Sequence, residues 1–135
     1  MGQLVIREYL YGGLTVYKFN GSEIEENRAK GILENFKERY VNESYPQRIL
    51  FINHLNLIEK KIPTERIREL NISNELDLFM YHERLKVVYI TKFEDVCKYV
   101  EQLEPWEDID CLVFDEKLNW YIGITHDDTL LINGL

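Results

Sequence analysis

The sequence predicts an α+β domain built on a largely antiparallel sheet. Three observations carry this. Short β-rich runs recur along the chain, and two stretches repeat apolar residues at helical spacing behind a capping signature. The last third holds three apolar runs, "IDCLVF", "LNWYIGI" and "TLLI", separated only by "DEK" and "HDD". Short strands joined by tight polar links make an antiparallel meander. The expected order is β-β-α-β-α-β-β-α-β-β-β, with helices covering one face of the sheet.

Each element has its own signature. "LVIREYLYGGLTVYKF" reads as two strands around Gly12-Gly13, whose freedom at positive φ suits a tight N-terminal hairpin. Ser22 followed by Glu25 forms a capping-box pattern, and Ile24, Ala29, Ile32, Leu33, Phe36 and Tyr40 then mark one apolar face. This predicts an amphipathic helix over about 22–41, with Gly31 as a local weakness. Pro46 breaks that pattern, and "RILFI" predicts a short strand over about 48–53, followed by irregular or helical chain to Lys61. Pro63 suits the first turn of a short helix over about 64–70. "NELDLFMYHERLKVVYI" returns to β character on both sides of a polar turn. Thr91 and Glu94 repeat the capping-box pattern ahead of a second amphipathic helix, about 92–103, which Pro105 ends.

A chain of 135 residues, 45% hydrophobic and 30% charged, fits a single folded domain over 1–135. No apolar run approaches the roughly 20 residues of a membrane span. The N-terminal stretch lacks a basic start followed by an apolar core, so no secretion signal is expected and the predicted location is cytoplasmic. Cys97 and Cys111 have no metal or disulfide-framework spacing and are expected as buried thiols.

Charge is more informative. The net charge is −8, and residues 91–135 alone hold three bases and eleven acids. The first ninety residues are therefore neutral. A field of one sign disfavours nucleic acid and anionic membrane and steers basic partners. Lys60, Lys61, Arg66 and Arg68 are interleaved with Glu59, Glu65 and Glu69, which predicts a solvated helical face rather than a nucleic-acid patch.

No sequence-local catalytic signature is present: no phosphate-binding glycine loop, nucleophile elbow or HExxH motif. No catalytic residue and no cofactor is expected. The alternative is a metal or acid–base centre on His126, Asp127 and Asp128, but adjacent side chains diverge and a hairpin tip accounts for these residue types. His54 and His82 stand alone in sequence. Paired carboxylates do acid–base work only in unlike environments, which loops seldom supply. Period two puts Trp120, Ile122 and Ile124 on one face of their strand and Tyr121, Gly123 and Thr125 on the other. Trp120 is expected in the core. Tyr121 is either an exposed aromatic anchor among acids or a ring packed under a helix.

The stretch "ELDLFMYHERLKVVYIT", a helix, and "PWEDIDCLVFDEKLNWYIGITHDDTLLINGL" together resemble small bacterial immunity proteins of polymorphic or contact-dependent toxin systems and related domains of unknown function. That resemblance implies a non-enzymatic inhibitor of a cognate toxin domain, often a basic nuclease. The expected contact residues are Asp108, Asp110, Asp115, Glu116, Asp127 and Asp128, with Tyr121 as the anchor. A small-molecule sensor or other interaction domain stays open.

Overall fold

The structure, a computed structural model, describes residues 3–8, 16–42, 50–103 and 109–135. Strands β1 (Gln3–Glu8) and β2 (Val16–Asn20) pair antiparallel as a separate two-stranded sheet, out to the pair Glu8 and Val16. The expected Gly12-Gly13 turn lies outside the described residues. The main sheet comprises β3 (Ser22–Glu23), β4 (Lys60–Pro63), β5 (Leu78–His82), β6 (Val87–Thr91), β7 (Cys111–Asp115), β8 (Tyr121–Ile124) and β9 (Thr129–Asn133). Its order is β3-β6-β5-β7-β8-β9-β4, antiparallel throughout. The three-stranded meander is β7-β8-β9, as the sequence predicts.

The helices do not share one face. α1 (Glu26–Tyr40) and the segment around a 3-10 turn, Phe51–Asn53, cover one side of the sheet. α2 (Phe93–Glu101) and a 3-10 helix, Thr64–Glu69, cover the other. Central strands must then be apolar on both sides, and β7 and β8 are buried at nearly every position. On the α1 side, Phe36 lies 4.6 Å from Phe114, and Tyr40 meets Tyr121 edge-on at 4.8 Å between ring centroids. Such pairs add about 0.5–1.5 kcal/mol each beyond the area they bury. Gly123 lets the 50–57 segment press on the sheet: a Cβ there would meet Leu55 Cδ1 at 3.3 Å. On the α2 side, Val96, Cys97, Tyr99 and Val100 pack over Met80, Cys111, Val113 and Ile122. Both thiols are free and buried, as expected.

Both capping boxes are overturned. Ser22 is taken into β3 against Ile90, and α1 starts four residues later, with the Glu25 carboxylate accepting from the Asn27 N–H at 3.0 Å. At α2 the Thr91 hydroxyl donates instead to the Asn20 carbonyl, and the Glu94 N–H donates to Asn74 Oδ1 at 2.8 Å. A side chain twenty residues upstream thus satisfies an amide the local pattern assigned to Thr91. Two further expectations change. Phe51–Asn53 is a 3-10 turn rather than the end of a strand, and residues 48–49 lie outside the described chain. Lys60–Pro63 is an edge strand paired with β9, not helix or loop. Its two lysines and proline are what an edge strand carries to discourage further pairing.

Candidate functional site

The register of the meander decides which acids meet. Cys111 pairs with Ile124, and Phe114 with Tyr121. Asp110 and the His126-Asp127-Asp128 turn therefore lie at one end of the sheet, and Asp115 and Glu116 at the other. Asp110 and Asp115 are five residues apart along β7, roughly 17 Å of extended strand. Among the described residues, the acids of the meander turns do not form one patch.

At the His126 end, the side chain of Asp110 is only 1% exposed. Its Oδ2 takes Arg84 Nε at 2.8 Å and Arg84 Nη2 at 2.7 Å, and Oδ1 lies 3.1 Å from His126 Nδ1. The β5–β6 turn supplies Arg84, because His82 pairs with Cys111 and brings that turn beside Asp110. The hydrogen bond to Asp110, then its charge, raises the His126 pKa above the ordinary histidine value. The imidazole is about half exposed, so a buried carboxylate holds a solvent-facing ring that is biased towards its cation.

Glu83 sits beside this group, and its N–H donates to the Asp110 carbonyl at 3.0 Å. Its buried carboxylate accepts the Phe51 and Ile52 N–H groups, each at 2.8 Å, and so fastens the 3-10 turn to the end of the sheet. Burial pushes the carboxyl up to about 7 and Asp110 adds to the rise, against the two amides and Arg84, which lower it. Neither Glu83 nor Arg84 stood out in the sequence. The one available signal was a charged pair inside a tight β-turn, which reads equally well as solvated.

The remaining expected residues divide. Asp127 is exposed and accepts a hydrogen bond from the Thr125 hydroxyl, which lowers its pKa. Asp128 is exposed with φ 61°, a left-handed turn position that Asp tolerates. His126 and Asp127 thus turn to different partners, Asp110 and Thr125, and among the described residues no three His, Cys, Asp or Glu side chains converge on a metal position. At the opposite end, Asp115 is engaged in the turn, accepting the Asn119 N–H at 2.7 Å and its Nδ2 at 3.0 Å. Glu116 is exposed. Asp108 lies outside the described residues.

Two contact assignments are corrected. Tyr121 is fully buried under α1, and its hydroxyl donates to the Asn56 carbonyl at 2.7 Å, so it is no surface anchor. Asp110 is an internal ion-pair acceptor rather than a rim acid. The basic cluster also reads differently in three dimensions. Lys60 and Lys61 stand on β4, and Arg68 grips Glu94 and Glu101 of α2, with Arg68 Nη1 2.8 Å from Glu94 Oε1. No helix is long and apolar enough to cross a membrane among the described residues. Comparison with protein-family models, with curated proteins and with solved structures gave no match.

Proposed function

We propose that the chain is a non-enzymatic binding protein, an acidic cytoplasmic inhibitor of the immunity type that neutralises a cognate basic toxin domain. The observation that carries this reading is the −8 charge, all of it arising in residues 91–135. Glu116 and Asp128, on the two turns of the meander, stand exposed and without an ion pair among the described residues. With the acids divided between two ends, steering comes from the charge of the whole molecule rather than from one focused patch. Such a field still speeds encounter with a cationic protein and weakens as salt screens it.

The experiment is co-expression with the C-terminal domain of any large toxin encoded immediately upstream of this gene. The reading expects that domain to arrest growth alone and to be harmless when the chain is present. Continued arrest with a well-expressed, folded chain overturns it.

A second reading has one observation in its favour. A buried aspartate orienting a half-exposed histidine, as Asp110 does His126, is an arrangement that general-base catalysts use. His126→Gln separates the two readings, since an inhibitor keeps its neutralising action in that variant and an acid–base enzyme loses its turnover.

A further inference from the structure

Between α1 and β4, residues 50–57 lie as a strap on the α1 side of the sheet. Its two ends are held by different chemistry. Towards β4 the ties are neutral: Leu55 bridges Val41, the Asn56 N–H donates to the Tyr40 carbonyl at 2.6 Å, and the Tyr121 hydroxyl donates to the Asn56 carbonyl. Burial pushes the Tyr121 phenol up, so none of these ties changes charge near neutrality. At the 3-10 turn the tie is an acid. Among the described residues, the Phe51 and Ile52 N–H groups both end on the Glu83 carboxylate, one on each oxygen. Ile52 is the apolar counterpart of that clasp. It is buried and packs onto Gly123, which pairs with Leu112 on one side and Leu131 on the other.

Glu83 is itself only 3% exposed. Asp110, just before β7, and Arg84, from its own turn, are the charges that act on it. Tyr81 of β5 faces it as a neutral phenol, pushed up by burial and by Glu83. His126, from the β8–β9 turn, reaches it through Asp110, and His82 turns its ring to Tyr99 on the opposite face. α1 meets the turn with an uncharged ring, Phe36, 6.3 Å from Phe51. While the strap is closed, desolvation and the like charge of Asp110 oppose ionisation of Glu83, and they outweigh the two N–H groups and Arg84. The protonated carboxyl keeps lone pairs for both N–H groups. Opening the turn gives the carboxylate water and removes the desolvation penalty. We propose that the strap is a pH-sensitive device: Glu83 holds the turn Phe51–Asn53 closed while its carboxyl is protonated, and its ionisation releases the turn and bares the apolar strip of Leu112, Gly123 and Leu131. The device is independent of which partner the chain binds.

The test is amide hydrogen exchange on the full chain between about pH 5 and about pH 8.5, corrected for intrinsic rates. The Phe51 and Ile52 amides should lose about fiftyfold in protection over that range. At the alkaline end they should exchange faster than the Val113 and Ile122 amides of the sheet. Dilute urea, too weak to unfold the chain, should leave their rate nearly unchanged, because opening one turn exposes little surface. In Glu83→Gln, which cannot ionise, their protection should be the same at both ends of the range. If that variant fails to fold, the Glu83 carboxyl carbon of the unaltered chain, followed by NMR, should titrate near neutral pH. Four results each overturn the strap: protection independent of pH, an unaltered pH slope in Glu83→Gln, a urea dependence equal to that of the sheet amides, or a Glu83 midpoint in the ordinary carboxylate range.

Discussion

His126 Nδ1 sits 3.1 Å from Oδ1 of Asp110, a carboxylate whose other oxygen takes the Arg84 guanidinium. Sixteen residues apart in sequence, the two meet because β7 and β8 are neighbours. The Asp110 carboxylate is buried, whereas both cations reach solvent, so the consequences of cutting each link differ. Arg84→Ala leaves a buried anion with one weak partner and costs about 3 kcal/mol. His126→Ala removes an exposed, partly screened partner and costs under about 1 kcal/mol. Urea denaturation at neutral pH ranks the two, and equal losses contradict the assignment. The same contact raises the His126 pKa, so the histidine's contribution to stability is complete below the unfolded value and disappears as pH rises through the folded one. NMR titration of Asp110→Asn should find the His126 pKa back near its ordinary value.

Glu83 gives a second pH dependence of the same sign. Its folded pKa, about 7, lies above the ordinary 4.5, so the folded protein holds this proton more tightly than the unfolded chain. Stability supported by the protonated form is present below pH 4.5 and is lost as pH climbs to about 7, by about 3 kcal/mol in all. Glu83→Gln should flatten that decline, and it should lower stability in acid, because its amide nitrogen faces one of the two backbone N–H groups. Denaturation midpoints from pH 4 to 8 check this. An unchanged slope in the variant would mean that Glu83 is not the group responsible.

Tyr121→Phe separates packing from recognition. The ring stays under α1, and only the hydrogen bond to Asn56 is lost, costing about 1 kcal/mol. Neutralisation in the co-expression assay should be unaffected. A variant that folds but no longer protects would restore Tyr121 to the interface.

Gly31 is a weak point of α1. It sits on the exposed side of the helix, and a Cβ added there would meet nothing within 4 Å. Gly31→Ala should stabilise the protein by about 1 kcal/mol, read as a shift in denaturation midpoint without a change in slope.

Much of this fold was legible because local signals and tertiary structure agree. The meander follows from apolar runs separated by turn residues, and α1 and α2 follow from their apolar stripes. The two-sided cover of the sheet was legible in part. "LFMYH", "CLVFD" and "YIGI" are continuous rather than alternating, which is the pattern of strands covered on both faces. β4 was hidden because an edge strand is charged and proline-bounded for the reason that it is an edge. The capping boxes failed through competition, since Ser22 and Thr91 each found strand partners first. The candidate site was the least legible part. Asp110, Arg84 and Glu83 are ordinary turn and loop residues until the register places them together, and Tyr121 could be assigned only once α1 was known to cover its face.

On the inhibitor reading, the charge of this chain serves association with a basic protein. Stopped-flow association with the upstream-encoded toxin domain, at salt of about 20 mM and about 500 mM, tests it most directly. The on-rate should be at least about tenfold faster at low salt, with a dissociation rate that changes little. An on-rate that is the same at both salt concentrations contradicts it.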